Sequence, residues 1–165
     1  MMTVMTNDTT VAERISRSAT IQLNGEMKTV FPLFGPVREM EWAAGWNPEI
    51  VYSENKEAEE RMIFKTKPRF EGEPDYTWII TQYFPEQYII EYTVSNDERI
   101  WYIRVQCNPA GNKTAATVTY TLTGLTERAV ERNKQALEKM NANNLNDWQE
   151  AINHYLTTGN LLTTK

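Results

Sequence analysis

Residues 113–123 read KTAATVTYTLT, and residues 126–156 read TERAVERNKQALEKMNANNLNDWQEAINHYL. The first stretch alternates. Ala116, Val118, Tyr120 and Leu122 share one side, and Thr117, Thr119, Thr121 and Thr123 the other. A period of two with β-branched residues on the polar side predicts a half-buried strand. In the second stretch Val130, Leu137, Met140, Leu145, Trp148, Ile152 and Tyr155 recur at threes, fours and their sums, with one step of five. That spacing predicts a helix running to Leu156, about 45 Å long at 1.5 Å per residue. Glu127 suits its first turn, where the helix dipole favours an anion, and Gly159 is a stop signal. The asparagine-rich run 141–147 has poor helix propensity and marks a bend or a looser turn.

Working back from that strand and helix, residues 49–53, 61–66, 75–83, 87–94 and 99–108 read as five more strands separated by short turn-like segments. Residues 15–23 form another: Ile15, Ala19, Ile21 and Leu23 fall on one face, with Arg17 as the exception. Between residues 23 and 49 lie two short helical pieces, 26–34 and 37–44, divided by Gly35-Pro36. Strands joined by short turns pair antiparallel, and one face of the resulting sheet needs cover. The expectation is an α+β fold of order β-α-α-β6-α: a curved antiparallel sheet of about seven strands wrapped on the C-terminal helix. Residues 1–12 read as a flexible lead, 13–158 as one domain and 159–165 as a tail.

The chain has 165 residues and a formal charge of −5. That length supports one core without disulfide or metal. The net negative charge argues against a broad nucleic-acid footprint. Lys65, Lys67 and Arg69 cluster, but Glu71 and Glu73 follow at once, so this stretch reads as a solvated edge or loop rather than a phosphate site. There is no signal-peptide pattern and no apolar run of membrane-spanning length, so the expected location is cytoplasmic, which the single Cys107 also suits.

The run from Phe31 to Pro48, FPLFGPVREMEWAAGWNP, together with the order of elements, resembles bacterial members of the START-like or Bet v 1-like (SRPBCC) helix-grip superfamily, including an uncharacterised polyketide cyclase-like subgroup. Asn47 stands where those members usually carry aspartate. The resemblance covers about residues 12–158. It implies a helix-grip fold with a ligand cavity between sheet and helix. Members bind lipids, sterols, polyketides, hormones or quinones; some are cyclases or hydrolases, and others are carriers or co-chaperone domains.

Strand parity then nominates the cavity walls. Tyr52, Met62, Phe64, Tyr76, Trp78 and Ile80 come from the first three strands after the helical pieces. Ile90, Tyr92, Arg99, Trp101, Ile103, Val118 and Tyr120 come from the next three, and Leu137, Met140 and Leu145 from the helix. All but Arg99 are also core residues by type, and the aromatic density is what points to a pocket. Trp42 and Trp46 sit at the helix-to-strand corner, as a gate or, the favoured reading, as an anchor for the short helices. Arg99 shares the parity of Trp101 and Ile103. Facing inward it would orient a carboxylate or phenolate, but its place near a strand end favours an arm reaching to water. Glu91 and Arg104 lie on the outward parity.

Catalytic and metal motifs are missing from the sequence. One histidine, His154, and one cysteine provide no zinc spacing, and no nucleophile-elbow or phosphate-loop pattern occurs. His154 reads as a helix-end residue. The residues therefore favour a module that binds a hydrophobic small molecule, lipid or polyketide-like. An enzyme using the same cavity, cyclase- or hydrolase-like and without metal or nucleotide cofactor, is the first alternative. A co-chaperone-like protein-interaction module is the second. No cofactor is expected, and sequence leaves a homodimer open.

Overall fold

The computed structural model describes residues 12–163. Most of the expected lead, residues 1–11, and the last two residues of the expected tail lie outside the described residues. Seven strands form one antiparallel sheet in the order β1-β7-β6-β5-β4-β3-β2. They are β1 (Glu13–Leu23), β2 (Glu49–Tyr52), β3 (Ile63–Thr66), β4 (Tyr76–Phe84), β5 (Ile89–Ser95), β6 (Arg99–Ala110) and β7 (Lys113–Gly124). Among the described residues this is the expected α+β helix-grip arrangement. Strands consecutive in sequence pair side by side from β2 to β7, and β1 closes onto β7 across the chain.

The alternation predicted for β7 is seen in its contacts. Thr117, Thr119, Thr121 and Thr123 stand on the outer face against β1, with Ser18 Oγ 2.7 Å from Thr119 Oγ1 and Thr20 Oγ1 3.0 Å from Thr117 Oγ1. Ala116, Val118 and Leu122 are buried on the inner face. A bulge in β4 at Thr81, between the pairs Ile80–Tyr92 and Gln82–Glu91, shifts parity by one. Such an extra residue bends the strand. It also turns Tyr83 inward, where its ring stacks on Phe31 at 6.1 Å.

The helical pieces between β1 and β2 are shorter than their sequence reading. One turn of α-helix, α1 (Met27–Val30), runs into 3-10 turns at Phe31–Phe34 and Arg38–Glu41. Pro32 accounts for the tightening, because it offers no N–H to continue an α-helix. Three aromatic side chains pin this segment. Trp42 Nε1 donates to the Leu33 carbonyl at 2.7 Å, Trp46 Nε1 to that of Pro36 at 2.7 Å, and the Tyr92 hydroxyl to that of Phe34 at 2.6 Å. The backbone groups that short helices leave free are thus satisfied from the core.

The single long helix is in fact two, α2 (Glu127–Asn143) and α3 (Asn146–Thr158). Asn144 and Leu145 between them are both left-handed, at φ 54° and 60°. Asparagine tolerates that region, and Asn143 Oδ1 accepts from the Leu145 N–H at 2.8 Å. The five-residue step from Met140 to Leu145 is the imprint of this break: one additional residue returns the apolar side chains to the sheet. Thr126 caps α2, its hydroxyl accepting from the Ala129 N–H at 3.1 Å, and Gly159, at φ 75°, ends α3.

The start of α2 presses on the end of β7. A Cβ built on Gly124 would lie 2.7 Å from Val130 Cγ2 and 2.8 Å from the Val130 amide nitrogen. At the other end, α3 seals the open edge of β1. Gln149 accepts from the Gln22 N–H at 2.8 Å. Asn153, one turn on, donates to the Gln22 carbonyl at 3.0 Å and accepts from the Asn24 N–H at 2.8 Å. An edge strand with unpaired groups invites foreign pairing, and here side chains of a helix occupy it. No helix among the described residues is long and apolar enough to cross a membrane.

Candidate functional site

Sheet and helices border two adjoining pockets open to solvent, one of about 530 Å³ and one of about 410 Å³. Six residues border both: Arg69, Trp78, Ile103, Tyr120, Asp147 and Trp148. The larger lobe continues along α2, past Trp101, Leu137, Met140 and Leu145, with Arg99 in its wall. The smaller lobe continues toward the pinned segment, past Glu39, Trp42, Trp46 and Tyr92. Trp78 lies at the junction, 5.2 Å from Phe64 in a stacked pair and 5.3 Å from Trp46 edge-to-face. Trp148 faces it from α3, edge-on to Trp42 at 5.8 Å and to Tyr120 at 6.4 Å.

Several nominated residues meet here: Trp78, Tyr92, Arg99, Trp101, Ile103, Tyr120, Leu137, Met140 and Leu145, with both proposed gate residues, Trp42 and Trp46. Six others, Met62, Phe64, Tyr76, Ile80, Ile90 and Val118, are buried beneath the void as packed core and border neither lobe. Tyr52 does not face inward at all. It is 50% exposed, on the edge strand β2, and donates to Glu54 at 3.0 Å. Strand β2 is exposed throughout because no element covers it, so its parity has no inner side to report.

Arg99 corrects the sequence reading most sharply. Its side chain is 2% exposed and reaches no water. Nε donates to Glu73 Oε2 at 2.7 Å and Nη2 to Glu73 Oε1 at 3.3 Å; Nη2 also donates to the Tyr76 hydroxyl at 2.7 Å and Nη1 to Asn133 Oδ1 at 3.0 Å. Its guanidinium also lies 4.6 Å from the centre of the Trp101 ring. Glu73, read as part of a solvated loop, has a fully buried side chain. Burial pushes its carboxyl toward the neutral form, but hydrogen bonds from Arg99, Tyr76 and Asn96 outweigh that and hold its pKa below the ordinary value. This network fastens the loop between β3 and β4 to the sheet. Arg132 adds a bond to the Glu71 carbonyl at 3.2 Å, and the Tyr76 hydroxyl accepts the Arg69 N–H at 3.0 Å. Arg69 and Phe70 are thereby set against the cavity. Glu91 and Arg104 do lie together on the outer face, 3.6 Å apart.

Sequence reasoning missed Arg69, Phe70, Glu39 and Asp147. Arg69 is exposed, like Lys65 and Lys67 with which it clusters in sequence, yet it also borders both lobes, and Glu39 lay unmarked inside the quoted 31–48 run. Among the ionisable side chains that border the lobes, Glu39, Arg69, Tyr120, Lys139 and Glu150 make no hydrogen bond or ion pair with a described residue. Burial raises the pKa of the Glu39 carboxyl well above the ordinary 4.5, and the positive charge of Arg69 offsets only part of that. Burial likewise pushes the Tyr120 hydroxyl up to about 12, with Arg69 opposing and Glu39 and Asp147 adding. Tyr92 is raised well above its ordinary value by burial first and by Glu39 second. Tyr92 and Tyr120 are thus neutral phenols near pH 7, and the Glu39 carboxyl is shifted toward its neutral form. Among the described residues no three His, Cys, Asp or Glu side chains gather as a metal site.

No family profile matches the chain, and no curated protein matches it in sequence. Solved structures do match in shape. Norcoclaurine synthase from Thalictrum flavum, in complex with dopamine and hydroxybenzaldehyde, aligns at TM-score 0.65 and 9% identity over 100% of this chain and 99% of its own. An uncharacterised protein from Rhizobium leguminosarum aligns at TM-score 0.58 and 14% identity, covering 84% of this chain and 96% of that one. Major latex-like protein 151 from Panax ginseng aligns at TM-score 0.55 and 12% identity, covering 70% of this chain and 83% of that one. At such identities the likeness is one of fold.

Proposed function

We infer, from a Bet v 1-like helix-grip fold with a two-lobed pocket between sheet and helices, that the chain binds an apolar or aromatic small molecule in that pocket. The supporting observation is the size and lining of the space. Voids of about 300–1,000 Å³ with apolar walls and a few polar groups are the usual form of small-molecule sites. Each lobe falls within that range, and tryptophan and tyrosine make up much of the wall. A lipid or polyketide-like compound fits this description.

Binding precedes any reaction, and the residues at the void supply no activated nucleophile. Its ionisable groups are the carboxyls of Glu39, Asp147 and Glu150, the phenols of Tyr92 and Tyr120, the guanidinium groups of Arg69 and Arg99, and the Lys139 amine. A cyclase- or hydrolase-like activity would have to rest on these. The shape neighbours include an enzyme, norcoclaurine synthase, so the fold itself is compatible with catalysis.

Native mass spectrometry of protein purified from its own host tests the reading, paired with the cavity-filling variant Ala136→Trp. Ala136 lines the larger lobe from α2. A co-purifying small molecule that disappears in the variant, with melting unchanged, is the expected result. Undiminished binding in a folded Ala136→Trp protein would refute a site in the larger lobe.

A further inference from the structure

We propose that the larger lobe takes an amphiphilic anion, with its apolar or aromatic body inside and its acidic head at the mouth between Arg69 and Lys139. The inference rests on the pocket reading above and adds the charge of the ligand and the residues that select it. The two lobes differ in the charge on their walls. Arg69, Arg99 and Lys139 border the larger one against a single carboxylate, that of Asp147. Arg99 is already answered by Glu73. Asp147 Oδ1 accepts the Trp148 N–H at 2.9 Å in the first turn of α3, where the helix dipole favours an anion. The side chains of Arg69 and Lys139 have no such partner among the described residues. The smaller lobe carries the opposite balance, with Glu39, Asp147 and Glu150 against Arg69.

The backbone fixes where both cations start. The Arg69 N–H donates to the Tyr76 hydroxyl at 3.0 Å, and the Phe70 ring lies 5.2 Å from the Arg99 guanidinium and 5.1 Å from that of Arg132. Arg132 also holds the Glu71 carbonyl at 3.2 Å. The loop is tied down around Arg69 while the Arg69 side chain stays exposed. Lys139 follows Arg132 by two turns, about 10 Å along the same side of α2. Ala136 and Asn143, three before and four after it, border the same lobe. The helix positions that could pair with Lys139 are Gln135, Ala136, Ala142 and Asn143, and none is acidic. In a chain with 22 acidic residues against 17 basic ones, this rim is where carboxylates are withheld. Trp101, Ile103, Leu122, Leu137 and Met140 supply the apolar wall of the same lobe. An acid head at the rim gains from both cations and keeps its access to water, so it avoids the cost of burying a charge.

The probes are pyrenebutyric acid, its neutral primary amide and the cationic pyrenebutylamine, which share one aromatic body. Energy transfer from tryptophan to pyrene reports binding. Wild type is expected to bind the acid about three- to tenfold more tightly than the amide, and the amine most weakly. The advantage of the acid should shrink as salt rises from about 10 mM to about 500 mM, because exposed charges are screened. Arg69→Gln and Lys139→Gln should each weaken acid binding about two- to threefold, and Lys139→Arg should keep the preference. The double variant Arg69→Gln/Lys139→Gln should bind acid and amide alike. Amide binding unchanged in the double variant shows that the pocket is intact.

If wild type binds acid and amide alike, or the double variant keeps the full advantage of the acid, the anion inference is overturned while the pocket stands. An acid preference that survives in Ala136→Trp would overturn the assignment to the larger lobe. If none of the three probes binds wild type, both readings fall.

Discussion

Replacing Arg99 with methionine tests whether the buried Arg99–Glu73 pair, rather than apolar packing alone, holds the β3–β4 loop over the cavity. The arginine uses four directed hydrogen bonds, and both side chains are almost wholly out of water, at 2% and 0% exposed. Removing one partner of such a pair strands the other charge and costs about 3–5 kcal/mol. For a chain of this size that is about 10 °C in melting temperature. Urea unfolding followed by tryptophan fluorescence measures it. The sign of the pH dependence follows from Glu73. In wild type its depressed pKa contributes stability that is present above the ordinary 4.5 and is lost as pH falls through the folded value. In Arg99→Met, burial without a cation raises the same pKa, so acid favours the folded variant. The gap between the two proteins should therefore be widest near pH 7 and shrink below pH 4.5. The double variant Arg99→Met/Glu73→Leu should lose less than Arg99→Met alone, since no charge is left stranded. A loss below about 1 kcal/mol for Arg99→Met, or a gap that does not change with pH, would refute the reasoning.

Three further outcomes follow from the packing. Gly124→Ala places a methyl 2.7 Å from Val130 Cγ2 and 2.8 Å from backbone, and should destabilise by about 1–3 kcal/mol in thermal melts. Asn153→Ala removes two bonds from the β1 edge and should cost about 1–2 kcal/mol, with more aggregation on standing by light scattering. Cys107 is buried, and burial pushes its thiol up to about 12, so an aromatic disulfide reagent at pH 8 should modify it only at the rate of unfolding.

The parts of this molecule that were legible in the sequence are those governed by local periodicity. The alternation in β7 and the three-four spacing of α2 and α3 need no knowledge of distant residues, because burial on one face imposes them. The five-residue step at Met140–Leu145 even recorded the break between the helices, although nothing local shows that Asn144 and Leu145 turn left-handed rather than merely fray. The losses came where a side chain's environment is supplied from far along the chain. Arg99 reads as an arm to solvent until Glu73, 26 positions earlier, and Asn133, 34 positions later, are folded onto it. Tyr52 keeps its strand parity but has no inner side, because β2 ends the sheet uncovered.

The same reasoning explains why the void was easier to anticipate than its chemistry. Apolar strand faces make a wall wherever they meet a helix, so Trp78, Trp101 and Tyr120 could be nominated by parity alone. Two of the polar groups in this wall enter from irregular segments, Glu39 from a 3-10 turn and Arg69 from a loop. These segments have no period to read. Their direction is set by anchors elsewhere: the indole bonds of Trp42 and Trp46 for the first, and the Arg99–Glu73–Tyr76 network for the second. Loosening either anchor should therefore alter what the cavity selects and its shape together, since Trp42, Trp46 and Arg99 are anchors and also border the lobes.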